Sequence, residues 1–112
     1  MGKFKYRIEA YAHGFLFALY PSNSNTSHMG HSNYFATREE AMIGLAQFRI
    51  LIKEIPDITS LFSIEKKGKF YKYQLNTNRY NLSFTNKGGH EHKKNAEKAL
   101  ESIKRNIDAE LQ

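Results

Sequence analysis

Along residues 3–11 the apolar side chains fall on every second position. Phe4, Tyr6, Ile8 and Ala10 lie on one side, and Lys5, Arg7, Glu9 and Tyr11 on the other. A period of two predicts a strand with one buried face. His13-Gly14 is a short turn. Residues 15–20 are apolar on both sides, with Phe15, Phe17 and Leu19 against Leu16, Ala18 and Tyr20. That pattern predicts a central strand. Residues 21–27, Pro-Ser-Asn-Ser-Asn-Thr-Ser, have the chemistry of a loop. A third strand is expected near 29–35, on weaker strand propensity. Thr37-Arg38-Glu39-Glu40 then forms a capping box. The Thr37 hydroxyl can accept the Glu40 amide while the Glu40 carboxylate reaches back. The stripe Ala41, Leu45, Phe48 and Ile52 follows at helical spacing, and Pro56 ends the helix at or before Ile55.

The second half predicts the same order. Strands are expected near 60–66, 69–76 and 79–85. Phe62 and Ile64 share a face, as do Tyr71, Tyr73 and Leu75, and then Tyr80, Leu82 and Phe84. Gly88-Gly89 breaks the chain. A last helix over about 93–110 carries Ala96, Leu100, Ile103, Ile107 and Leu111 on one side.

The halves also align with each other. At an offset of 56, Tyr6-Arg7-Ile8-Glu9 falls on Phe62-Ser63-Ile64-Glu65, and Phe15 to Leu19 falls on Tyr71 to Leu75. At an offset of 55, Ala41, Gly44, Leu45, Phe48 and Ile52 meet Ala96, Ala99, Leu100, Ile103 and Ile107. Strands and helix keep their order and spacing, which is the signature of an internal repeat. The expectation is a single α+β domain over 1–112, built from two tandem βββα repeats at about 1–56 and 57–112. Each helix has one apolar stripe, so an antiparallel sheet with both helices on one face is expected, its other face left to water or a partner.

Gly14-Phe15-Leu16-Phe17-Ala18-Leu19, Ser32-Asn33-Tyr34-Phe35 and Glu39-Glu40-Ala41 through Gly44-Leu45 carry a family resemblance. So do Gly68 to Leu75 and Asn95 to Lys104 in the second half. Together they resemble the YegP-like family of small uncharacterised bacterial proteins with tandem strand–strand–strand–helix units. The Ser/Asn-rich loop 22–28 and the Gly-Gly-His-Glu-His stretch before the last helix depart from that pattern. The resemblance implies an architecture and a bacterial or phage setting. It implies no catalytic residues.

Composition narrows the chemistry. The chain of 112 residues has no Cys, so disulfides, thiolate zinc sites and cysteine nucleophiles are excluded. The first residues, Met1-Gly2-Lys3-Phe4-Lys5-Tyr6, contain no apolar run of a secretory leader, and no stretch is long enough to span a membrane. A cytoplasmic protein is expected. Net charge is +6, with +2 in residues 1–55 and +4 in residues 56–112. This excess permits an anionic partner without requiring one.

No P-loop, serine-nucleophile or dinucleotide-binding pattern occurs. His28 and His31, and His90-Glu91-His92, are read as polar loop residues, since a zinc site needs three or four convergent ligands. Glu39 and Glu40 suit the positive end of a helix. No catalytic residue, metal or cofactor is expected, and the protein is not read as an enzyme. Two binding chemistries stay open. Tyr11, Leu16, Tyr20 and Phe70 point away from the expected core and suit a protein partner, including a second copy. Lys66, Lys67, Lys69, Lys72 and Arg79 lie among Phe70, Tyr71, Tyr73 and Tyr80, and an open sheet face bearing Lys5, Arg7, Lys72 and Gln74 would suit single-stranded nucleic acid, in which bases stack on aromatics beside a positive groove. The candidate surface is Lys5, Arg7, Tyr11, Tyr20, Lys69, Phe70, Lys72 and Arg79.

Overall fold

The computed structural model describes residues 3–22, 28–86 and 88–112. The loop expected over 21–27 lies largely outside them. Strands β1 (Lys5–Tyr11) and β2 (Gly14–Tyr20) form a hairpin in the register the period of two demands, with Tyr6 opposite Leu19 and Ile8 opposite Phe17. β3 (Gly30–Ser32) adds to β2, and helix α1 (Arg38–Glu54) follows. A 3-10 turn at Ile58–Leu61 leads into β4 (Phe62–Lys67) and β5 (Phe70–Leu75), a second hairpin. Then come β6 (Phe84–Thr85), helix α2 (Lys93–Arg105) and β7 (Glu110–Leu111). The seven strands make one sheet in the order β4-β5-β6-β3-β2-β1-β7.

Helix α1 starts where the capping box places it. Thr37 Oγ1 accepts the Glu40 amide at 3.1 Å, and a Glu40 carboxylate oxygen accepts the Ala36 amide at 3.2 Å. The α+β class is as expected, but four details differ. First, the sheet is mixed, because β7 lies parallel to β1. Second, the last helix stops at Arg105 and not near 110. Asn106 closes it, with Nδ2 donating to the Ser102 carbonyl at 2.8 Å. Two carbonyls beyond it are claimed by other elements. The Tyr6 hydroxyl donates to Ile107 at 2.9 Å, and Arg49 Nη2 donates to Ala109 at 2.6 Å. Those tertiary bonds tie down the turn at 106–108 and the residue after it, β7 then pairs with β1, and Leu111 packs on the core from that strand.

Third, β3 is only three residues long, and the backbone regains β2 at the isolated Phe15–Phe35 bridge. Fourth, residues 79–83 are not a strand. The Arg79 amide turns onto Thr77 Oγ1, Leu82 onto the Tyr80 carbonyl, and the Ser83 amide onto Asn33 Oδ1 at 2.9 Å. Two local bonds and one to the distant Asn33 side chain here take the place of a ladder.

One core joins both helices to the sheet. Phe17, Phe48 and Phe84 meet at its centre, with Phe48 and Phe84 stacked at 4.5 Å. Two glycines permit close approaches there. A Cβ on Gly30 would meet the Phe84 ring at 2.3 Å, and one on Gly44 would meet the Phe35 ring at 2.4 Å. Two buried tyrosines give their hydroxyls to backbone, Tyr6 to Ile107 and Tyr73 to Met29. Burial pushes both phenols far above the ordinary range.

Candidate binding surfaces

Directly opposed residues of an antiparallel ladder share a face. Arg7, Ala18, His31, Thr85, Gln74 and Ser63 are joined by successive pairings and make one row across the sheet. This face lies opposite the core, since Phe17, Leu19, Tyr73 and Leu75 alternate with it. Its two ends differ.

At the β1–β2 end it is closed by its own side chains. Tyr20 is only 4% exposed, and its hydroxyl donates to Glu9 Oε2 at 2.5 Å. Tyr11 donates to the other carboxylate oxygen at 3.1 Å. Arg7 lies 4.9 Å over the Tyr20 ring, and its Nε donates to Gln112 Oε1 at 2.9 Å. His28 meets Tyr20 and His31 edge-on. Burial, and then the bond to Glu9, push the Tyr20 phenol up to about 12. Tyr11 is shifted in the same direction for the same reasons. At the tip, exposed Tyr11 and His13 pack on Tyr34 at 6.1 and 5.6 Å.

At the β4–β5 end the face is polar. Ser63, Glu65, Lys67, Lys72, Gln74 and Thr85 line a shallow depression of about 200 Å³. Phe70 is half-exposed at its rim, opposite Lys67. Lys66 is turned to the other face, 5.9 Å from the Tyr71 ring.

The structure therefore brings Lys5, Arg7, Tyr11, Tyr20, Phe70 and Lys72 onto one face, spread over both ends. Tyr20 is buried within it and offers a partner little area. Lys69 sits in the β4–β5 turn. Arg79 leaves the sheet, ion-pairs with Glu54 at the end of α1 and stacks on Tyr80 at 5.4 Å. Among the described residues no three His, Cys, Asp or Glu converge as metal ligands. His90 is held between the Tyr71 backbone and the Tyr73 ring, and burial lowers its pKa. No helix among them is long and apolar enough to cross a membrane.

A second surface lies outside the apolar stripes of the helices. Outside its core stripe, α1 carries Met42, Ile43 and Ile50 at 45%, 58% and 48% exposure, with exposed Ala46 between them. The corresponding side of α2 is Lys94, Glu97, Lys98, Glu101 and Arg105. A count of apolar residues on the polar side of α1 would have revealed it, because an amphipathic helix at a domain surface keeps that side polar.

Comparison with protein-family models, curated proteins and solved structures finds no match for this chain.

Proposed function

We propose that the protein is a cytoplasmic, non-enzymatic binding module that works through protein–protein contact, as an adaptor or inhibitor does. The observation that carries this reading is the exposed apolar side of α1. Three large apolar residues on one outward helix face are costly to leave in water, and such patches mark interaction sites. The exposed Tyr11–His13–Tyr34 cluster adds aromatic surface of the kind enriched at interfaces. The test is capture from a cell extract with the native chain and with Ile43→Glu/Ile50→Glu as baits. Proteins retained by the native bait and lost by the variant support the reading. Identical sets overturn it.

The polar end of the sheet favours a second reading, nucleic-acid binding. Lys67 and Lys72 flank hydrogen-bonding Gln74 and Asn76, with Lys69 and Phe70 at the adjacent turn. Fluorescence anisotropy with short single- and double-stranded DNA and RNA decides it. Binding that persists near physiological salt and falls in Lys69→Ala/Lys72→Ala supports it; no binding at low salt removes it.

The architecture we infer behind either reading is two tandem βββα units with both helices on one face, as in YegP-like proteins. Several equivalences support it. The Phe15–Phe35 bridge has a counterpart in Tyr71–His90. The Phe17 amide donates to Ser32 Oγ at 3.0 Å, and the Tyr73 amide donates to Asn86 Oδ1 at 3.1 Å. β3 pairs antiparallel with β6, which places a pseudo-two-fold between the halves.

A further inference from the structure

Resting on the protein-binding reading, we propose that the partner of the α1 surface is a second copy of this chain, docked α1 to α1 in antiparallel fashion. The exposed column of the helix runs Glu39, Ile43, Ala46, Ile50, Lys53, at alternating spacings of four and three. That spacing keeps residues in line along a helix and suits lengthwise packing against another helix. The column is also self-complementary. A two-fold axis through Ala46 sets each Ile43 beside Ile50 of the partner subunit, with the smallest side chain at the crossing. The same operation brings each Glu39 to Lys53 of the partner subunit. A parallel pair would set Glu39 against Glu39 and Lys53 against Lys53. An isologous contact requires one patch to complement itself, and this column does so in apolar shape and in charge.

The neighbouring charges leave that pairing open. Glu40 is engaged with the Ala36 amide, and Glu54 with Arg79. Lys53 holds Asp108 at 2.6 Å on its flank and is half-exposed, so it can bridge two carboxylates. The size of the face sets the strength. A helix of 17 residues is about 25 Å long and about 10 Å wide, roughly 250 Å² per copy. A stable dimer buries about 800 Å² per partner, so this dimer is weak, reversible and dependent on concentration.

Sedimentation equilibrium of the full chain tests it, between about 10 µM and about 1 mM, the range a contact this small occupies. The expected result is a mass that rises from 13.0 kDa toward twice that value. Ile43→Glu/Ile50→Glu is expected to stay at the monomer mass with an unchanged far-UV CD spectrum, and Ala46→Arg gives the same reading from one site. Glu39→Lys and Lys53→Glu are each expected to weaken association by about threefold, and the double variant to recover it. A wild-type mass of 13.0 kDa throughout overturns the proposal. So does association that survives Ile43→Glu/Ile50→Glu, or a double variant that fails to recover. A monomeric chain whose α1 surface still retains a different protein overturns the second copy and leaves the protein-binding reading standing.

Discussion

The two helices present opposite surfaces from similar interiors. α1 buries Ala41, Gly44, Leu45, Phe48 and Ile52, and α2 buries Ala96, Ala99, Leu100 and Ile103 at matching spacing. Outward, α1 shows Met42, Ile43 and Ile50, and α2 shows lysines and glutamates. The sheet repeats the contrast on its second face, aromatic and closed toward β1 and β2, polar and open toward β4 and β5. The lesson is that packing constrains only the inward positions. Outward positions are free to differ, so the outward sides on which the two helices differ are the place to look for function.

Four measurements bear on that contrast. The largest effect belongs to the shared interior. Phe48→Ala removes the ring stacked on Phe84 and touching Phe17, and denaturant unfolding is expected to show a loss of about 3–5 kcal/mol. Equal destabilisation by an outward substitution such as Ile43→Glu would break the distinction.

Next come the two buried acceptors. Ser32→Ala strands the Phe17 amide and is expected to cost about 1–3 kcal/mol. Asn86→Ala strands the Tyr73 amide but also removes Nδ2, a buried donor with no acceptor among the described residues. Its cost should be the smaller of the two in the same unfolding assay, and the reverse order would deny their equivalence.

The third effect is on pH. Burial lowers the pKa of His90 below its ordinary 6.5. The unfolded chain then binds the proton more readily than the folded one. Stability is expected to hold above about pH 6.5 and to fall as pH drops toward the folded pKa. Thermal melts of wild type and His90→Gln over that window check it; a parallel pH dependence in both would remove His90 as the cause. The smallest effect is Ile43→Glu/Ile50→Glu, expected to leave stability within about 0.5 kcal/mol. A larger loss would mean that the face is covered within the chain.

Much of the fold was legible in residue order. The alternation in 5–11, the capping box at Thr37 and the stripe from Ala41 to Ile52 report local geometry, and local geometry follows from steric and hydrogen-bonding preferences carried by neighbouring residues. The candidate surface was legible only in part. Lys72 and Tyr11 reach the second face because alternation puts them there. Tyr20 obeys the same alternation yet is buried, because Glu9 and Arg7 come from another strand to cover it. Arg79 left the surface because the expected third strand of the second half does not form around it.

By itself, then, the sequence determined the α+β class, both helix starts, the two hairpins and the absence of thiol chemistry. These depend on residues close along the chain. The end of α2 and the parallel β7 were decided only in the tertiary structure. Each depends on a partner far away in sequence: Arg49 and Tyr6 capture the carbonyls of Ile107 and Ala109 across 58 residues or more. No local preference carries that information, because hydrogen bonds and burial between distant segments exist only once the chain has closed on itself.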